Sequence, residues 1–279
     1  MPEISTLETS TPETTMPHIN VPRPILSDLG MLELATADTS PFDPRALRVK
    51  IFADGADKAS ILDLARNPSI QGFTTNPTLM RKAGVKDYEA FCRDLLECIP
   101  DRPFSFEVFS DEFDEMERQA LRIASWGKNV YVKIPVTNTR RQSSTALVGR
   151  LARHGVKVNV TAMMTLEQVD DVLPQLENGP PSYLSIFAGR VADAGCDPLP
   201  LMRGALGRMR AHPQIELIWA SPRELFNIVQ ADKLGCHIIT VTHDLLKKLP
   251  TLGKDLDEFS LDTVKMFRDD AVAAGYTLA

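Results

Sequence analysis

A chain of 279 residues with 43% hydrophobic and 24% charged content has enough apolar mass for one barrel-sized core or two small ones. Its net charge of -6, with Asp and Glu mixed among Lys and Arg and no basic block, argues against nucleic acid as a partner. No apolar run reaches the roughly 20 residues that a membrane-spanning helix requires. The four cysteines (Cys92, Cys98, Cys196, Cys236) form no CxxC pair and the N-terminus shows no signal-peptide pattern, so a soluble, cytoplasmic protein with reduced thiols is expected.

Residues 1–48 are rich in Pro, Ser and Thr (MPEISTLETSTPETTMPHINVPRP), which offers little apolar surface to offset the entropy of ordering. They are expected to be a flexible N-terminal extension. Within them, ILSDLGMLELA holds enough leucine for a short docked helix, so a plain tail and an interaction segment both stand. Residues 49–279 form the expected catalytic domain. There, β-rich runs (RVKIFAD, IQGFTTN, FSFEVF, NVYVKIPV, VKVNVTA, YLSIFAG, IELIWAS, HIITVT) alternate with segments of helical apolar spacing such as VKDYEAFCRDLLECI and DEMERQALRIASW. Strand runs that are apolar almost throughout suit a parallel sheet covered by helices. About eight βα units in about 230 residues predict an α/β fold, a single (β/α)₈ TIM barrel. A doubly wound open sheet is the runner-up, disfavoured because no GxGxxG follows the first strand and no GxxxxGK[ST] occurs. The amphipathic DLDEFSLDTVKMFRDDAVAAGYTL adds a C-terminal helix.

Reactive groups of such a barrel gather at the carboxyl ends of its strands, so the polar residues that interrupt or end the apolar runs are the candidates. Asp54 ends the first run, and Thr74, Thr75 and Asn76 end the second. Glu107 lies late in the third, Lys133 in the fourth, and Thr161 ends the fifth. Ser185 and Arg190 flank the end of the sixth; Ser221 and Arg223 follow the seventh.

Lys133 is the conspicuous member. A lysine in an apolar interior is costly when charged, and desolvation that favours the neutral amine makes it a nucleophile toward carbonyls. The competing reading is a structural ion pair with Glu107 or Asp54, or a side chain that snorkels outward. Asp54, Glu107 and Thr161 could supply the acid, base and water-holding groups that Schiff-base chemistry on a ketose needs. Asn76 could hold a sugar hydroxyl, and Arg190, Ser221 and Arg223 could seat a phosphate, although a lone arginine is more often simply a surface residue.

The segments IFADGAD, GFTTNPTL, FEVF, VYVKIPVT, VNVTAMMT, SIFAGRVAD and WASPRE, in this order from Val49 to near the C-terminus, resemble the transaldolase family, in its short branch related to fructose-6-phosphate aldolases. The resemblance implies a Schiff-base role for Lys133, catalytic carboxylates at Asp54 and Glu107, and a water-holding role for Thr161. It also implies sugar contacts from Thr75, Asn76, Ser185 and Phe187, and phosphate contacts from Arg190, Ser221 and Arg223. Phe187 and Glu107 match the transaldolase pattern, where the aldolases resemble each other in carrying Tyr and Gln. A phenylalanine cannot hold and polarise a water as a tyrosine can, so transfer is favoured over simple cleavage. Pro222 departs from the family's aromatic residue, and the N-terminal extension is foreign to its short members.

The expected function is therefore a cofactor-free transaldolase acting on sugar phosphates, with an aldolase that releases or uses free dihydroxyacetone as the second reading and a catalytically silent sugar-phosphate-binding barrel as the third. The five histidines show no paired-ligand spacing, and no metal is expected. DEFDEMER lacks the glycine of a calcium loop and reads as a solvated helix start. Asn159-Val160-Thr161 fits the glycosylation pattern by chance. The C-terminal helix, by the same resemblance, points to a homo-oligomer.

Overall fold

The computed structural model describes residue 43 and residues 46–278, all within the second of two units of the chain, residues 41–279. The leucine-rich segment of the N-terminal extension, and most of that extension, lies outside the described residues.

Each β-rich run forms a strand, and the eight strands close in chain order into an all-parallel barrel. The order is β1 (Lys50–Asp54), α1 (Lys58–Ala65), β2 (Ile70–Thr74), α2 (Pro77–Lys82), α3 (Tyr88–Cys98), β3 (Phe104–Glu107), α4 (Phe113–Ala124), β4 (Val130–Pro135), α5 (Thr145–Arg153) and β5 (Val158–Met163). It continues with α6 (Leu166–Leu176), β6 (Ser182–Ile186), α7 (Ala188–Asp193), α8 (Pro198–Met209), β7 (Ile215–Trp219), α9 (Phe226–Leu234), β8 (Ile238–Thr242), α10 (His243–Leu246) and α11 (Leu256–Ala273). Closure comes from β1 pairing with both β2 and β8.

Two connections hold two helices where one was expected. Asn76 caps α2 by accepting from Leu79 N, with Pro77 preset for the first helical position, and the helix stops at once because Gly84 turns the chain at φ +74°. Gly195, at φ +80°, separates α7 from α8 in the same way.

Apolar strand residues serve two cores. Phe104, Phe106, Val132, Ile134, Val158 and Val160 face the helices in the main core. Phe52, Tyr131, Tyr183, Ile218, Ala220 and Ile238 fill the inside of the barrel, with Phe187 partly buried against them. Tyr131 stacks on Tyr183 at 3.9 Å between centroids, and Phe52 meets Tyr183 edge-on at 5.9 Å. Gly72 makes room for this plug, since a Cβ there would lie 2.6 Å from the Phe52 ring. The interior is thus a packed floor beneath the strand ends, and it excludes water from below.

Candidate active site

The period of two along a strand puts alternate residues inside the barrel, and the register brings their polar members to similar heights. Glu107 aligns with Lys133, Lys133 with Asn159, Pro135 with Thr161, and Asp54 with Thr74. Lys133 is only 5% exposed. Its Nζ lies 3.0 Å from Glu107 Oε2 and donates to the Thr75 carbonyl at 2.9 Å. The lysine is therefore paired and pinned rather than snorkelled outward, and the pair sits at the carboxyl ends of its strands.

Asp54 is half-buried nearby and accepts from Thr74 Oγ1 at 2.7 Å. Burial pushes its carboxyl above the ordinary 3.8, opposed by the Lys133 charge and the Thr74 hydrogen bond and assisted by the Glu107 charge. Thr161 is buried, and its Oγ1 has no protein partner among the described residues, so the hydroxyl is free to hold a water. The next residue, Ala162, has φ +61° beside a register shift between β5 and β6. This local kink lies beside Thr161 at the strand end.

On the same inner face Ser185 donates to Asn159 Oδ1 at 2.7 Å, and Asn159 donates to Ser105 Oγ at 3.0 Å. Ser185 is therefore tied into a buried amide–hydroxyl row. The Tyr88 hydroxyl on α3 donates to the Glu107 carbonyl at 2.7 Å and accepts from the Glu107 N–H at 2.9 Å, which holds the end of β3 in place. Asn76 spends its side-chain oxygen on capping α2, which fixes the residue at the mouth.

The three phosphate candidates follow β6 and β7. Arg190 is exposed and stacks over Phe187 at 5.8 Å. Arg223 forms a paired contact with Asp193, its Nε lying 2.9 Å from Oδ1. Ser221 has φ +60°, Pro222 is buried, and the Ser221 carbonyl packs so closely on Gly189 that a Cβ there would lie 1.6 Å from it. Close packing of α7 on this loop brings Arg190 and Arg223 to the same edge of the mouth.

Ser105, Asn159, Thr240, Tyr88 and Asp193 were not singled out as site residues from the sequence. The first three could have been, because each lies two positions before a polar strand-end residue (Glu107, Thr161, Thr242) and must share its face. The acidic stretch before α4 does more than start a helix. Asp111 accepts from the Thr139 N–H and hydroxyl, both at 2.7 Å, and Glu112 grips Arg140 at 2.8 and 2.9 Å, fastening the loop after β4. A groove of about 510 Å³ between α3 and α4, lined by Tyr88, Phe109, Arg118 and Trp126, lies outside the mouth and holds no buried ion pair. The barrel mouth, where an amine, two carboxylates and several hydroxyls converge, is the site with chemistry to offer. Among the described residues no cluster of three or more His, Cys, Asp or Glu could hold a metal, and no helix is long and apolar enough to cross a membrane.

Comparison with known proteins bears on the family of the chain. The sequence model described as transaldolase/fructose-6-phosphate aldolase matches residues 51–278. Similar chains include a probable transaldolase of Streptococcus agalactiae, 35% identical over 76% of this chain and 99% of the relative. One of Thermoanaerobacter sp. is 32% identical over 77% and 96%. Another, of Dehalococcoides mccartyi, is 30% identical over 72% and 90%. Among solved structures, one described as "Native KDPGal structure" superposes with a TM-score of 0.48 at 12% identity, over 79% of this chain and 97% of that one. With the match running from β1 to beyond α11, the chain belongs to the transaldolase/fructose-6-phosphate aldolase family.

Proposed function

We propose that the protein is a transaldolase that moves a dihydroxyacetone unit from a ketose phosphate, fructose 6-phosphate or sedoheptulose 7-phosphate, to an aldose phosphate through a Schiff base on Lys133. The observation that carries this reading is the Lys133–Glu107 pair, 3.0 Å apart in a buried position at the strand ends. An ammonium cannot attack a carbonyl. Glu107 is within reach to take one proton from Lys133, which gives the neutral amine that attack needs.

In this mechanism the amine adds to the ketose carbonyl, the acid returns its proton to the departing hydroxyl, and water leaves as the iminium forms. Asp54 takes the proton of the C4 hydroxyl as the C3–C4 bond breaks. The aldehyde departs and the electron pair stays behind as an enamine. Addition of that enamine to an aldose phosphate runs the same steps backwards, and hydrolysis frees the lysine. Burial that raises the Asp54 carboxyl suits a group that must hold a proton and return it. Thr161 holds the water, Thr75, Asn76, Ser185 and Phe187 line the sugar, and Arg190, Ser221 and Arg223 take the phosphate. The iminium itself is the electron sink, so no cofactor or metal is required.

The family's own description covers aldolase cleavage as well, which keeps release of free dihydroxyacetone as the second reading. Phe187 and Glu107 favour transfer. A cytoplasmic setting belongs to this proposal, as does a homo-oligomer that covers the exposed Leu256, Phe259, Val264 and Phe267 of α11.

Borohydride trapping with fructose 6-phosphate, followed by mass spectrometry, tests the mechanism. A three-carbon adduct on the peptide containing Lys133, absent in Lys133→Ala, is expected. No adduct in folded wild-type protein sinks the Schiff-base reading, and dihydroxyacetone released without any acceptor would select the aldolase.

A further inference from the structure

A threonine hydroxyl carries one hydrogen and can accept others. Thr74 Oγ1 lies between two oxygens, Asp54 Oδ1 at 2.7 Å and Thr240 Oγ1 at 2.5 Å. An ionised Asp54 has no hydrogen to give, so the single Thr74 hydrogen goes to the carboxylate. The contact with Thr240 must then be bridged by the Thr240 hydrogen. Both threonines are buried, 4% and 6% exposed, and water cannot easily replace either bond. β1 lies between β2 and β8, with Asp54 opposite Thr74 and Phe52 opposite Thr240, so the two hydroxyls meet across β1 inside the barrel.

We propose that Thr240 is a positioning residue for Asp54: its hydroxyl donates to Thr74, which commits the Thr74 hydrogen to Asp54 Oδ1 and so supports the ionised carboxylate facing the substrate pocket. This deepens the transaldolase reading and rests on it for its catalytic meaning, though not for its measurement. The directional chain has a consequence for protonation. With Asp54 ionised, every hydrogen from Thr240 to Thr74 is used. With Asp54 protonated on Oδ1 and donating, the Thr74 hydrogen loses the carboxylate as its acceptor and can turn only toward Thr240, where one hydrogen, not two, fits between the two hydroxyl oxygens. The array therefore favours the charged form and offsets part of what burial costs Asp54. The charged groups acting on Asp54 from neighbouring elements are Lys133 on β4 and Glu107 on β3. β2 and β8 present the two threonine hydroxyls, and α10, packed beside β1, carries His243 and Asp244.

The test is a titration of Asp54 in the unliganded full chain by carboxyl-carbon NMR, with the resonance assigned from Asp54→Asn. Thr240→Val keeps the shape and removes the donor; Thr240→Ser keeps the donor. The Asp54 midpoint is expected to rise by about half a pH unit or more in Thr240→Val and to stay near wild type in Thr240→Ser. An Asp54 midpoint in Thr240→Val equal to wild type, or one equally raised in Thr240→Ser, overturns the proposal. In the transfer assay the acid limb of kcat/KM should move up in pH by the same amount in Thr240→Val, while borohydride still traps Lys133 in both variants. Failure of wild-type trapping would remove the functional reading, and the Asp54 titration would still decide what Thr240 does.

Discussion

Asp54 carries opposed forces that can be separated by pH. Burial raises its carboxyl above the ordinary 3.8, and neither the Lys133 charge nor the Thr74 hydrogen bond fully offsets it. The folded state therefore binds this proton more tightly than the unfolded chain, and stability is lost as pH rises from the ordinary value through the folded one. Asp54→Asn, which removes that charge, should melt at a higher temperature than wild type near pH 7 and lose transfer activity. The stability difference should fade as pH is lowered to about 3 and below, where both states bind the proton. Calorimetry across pH checks this, and equal melting temperatures at pH 7 would show that Lys133 and Thr74 fully offset the burial. At this scale much was legible. Lys133, Asp54, Glu107 and Thr161 were visible as polar interruptions of apolar runs. For Thr240 and Asn159 only the shared strand face was visible, and for Tyr88 not even that, because their partners lie 166, 54 and 19 residues away.

At the scale of elements, two glycines show how strands and loops are held in position. Gly72 on β2 leaves space for the Phe52 ring, which is in turn fixed edge-on against Tyr183. Gly72→Ala forces that plug to shift and should cost about 1–3 kcal/mol by chemical denaturation, the usual range for overpacking. Gly189 at the start of α7 has backbone rather than a movable side chain in its way, the Ser221 carbonyl. Gly189→Ala should separate α7 from the loop after β7 and with it Arg190 from Arg223. The measurable outcome is a KM for fructose 6-phosphate raised about tenfold or more, with little change for an unphosphorylated donor such as fructose; that is roughly the worth of one charge-assisted contact. An equal rise for both donors would place the damage at the sugar rather than the phosphate. The strands were readable from their β-branched apolar runs, and the helices from their spacing. The doubled helices after β2 and β6 were not, since a single glycine at positive φ splits what looks like one connection.

For the whole molecule, α11 is the exception to burial. None of its 18 residues is buried, while the strands and their covering helices are closely packed. Its Leu256, Phe259, Val264, Met266 and Phe267 are exposed together, so the helix contributes little to the stability of the barrel beneath it. A chain ending at Lys254 should keep its melting temperature within a few degrees of the full protein. If α11 joins subunits, analytical ultracentrifugation should find the full chain as an oligomer and the truncated chain as a monomer. A full chain that sediments as a monomer at micromolar concentration counts against the oligomer.

Apart from the doubled helices after β2 and β6, the sequence alone determined the eight strands and their alternation with helices, the parallel barrel they form and the family they belong to. Those depend on local periodicity and on motifs that stay contiguous in the chain. Only the tertiary structure decided which polar residues meet. The Lys133–Glu107 pair, the Thr240–Thr74–Asp54 chain, the Ser185–Asn159–Ser105 row and the Arg223–Asp193 contact join residues far apart in sequence. Their encounter is set by strand register and by barrel closure through β1 and β8. Closure couples the two ends of the domain, and no local pattern in the chain encodes that distance.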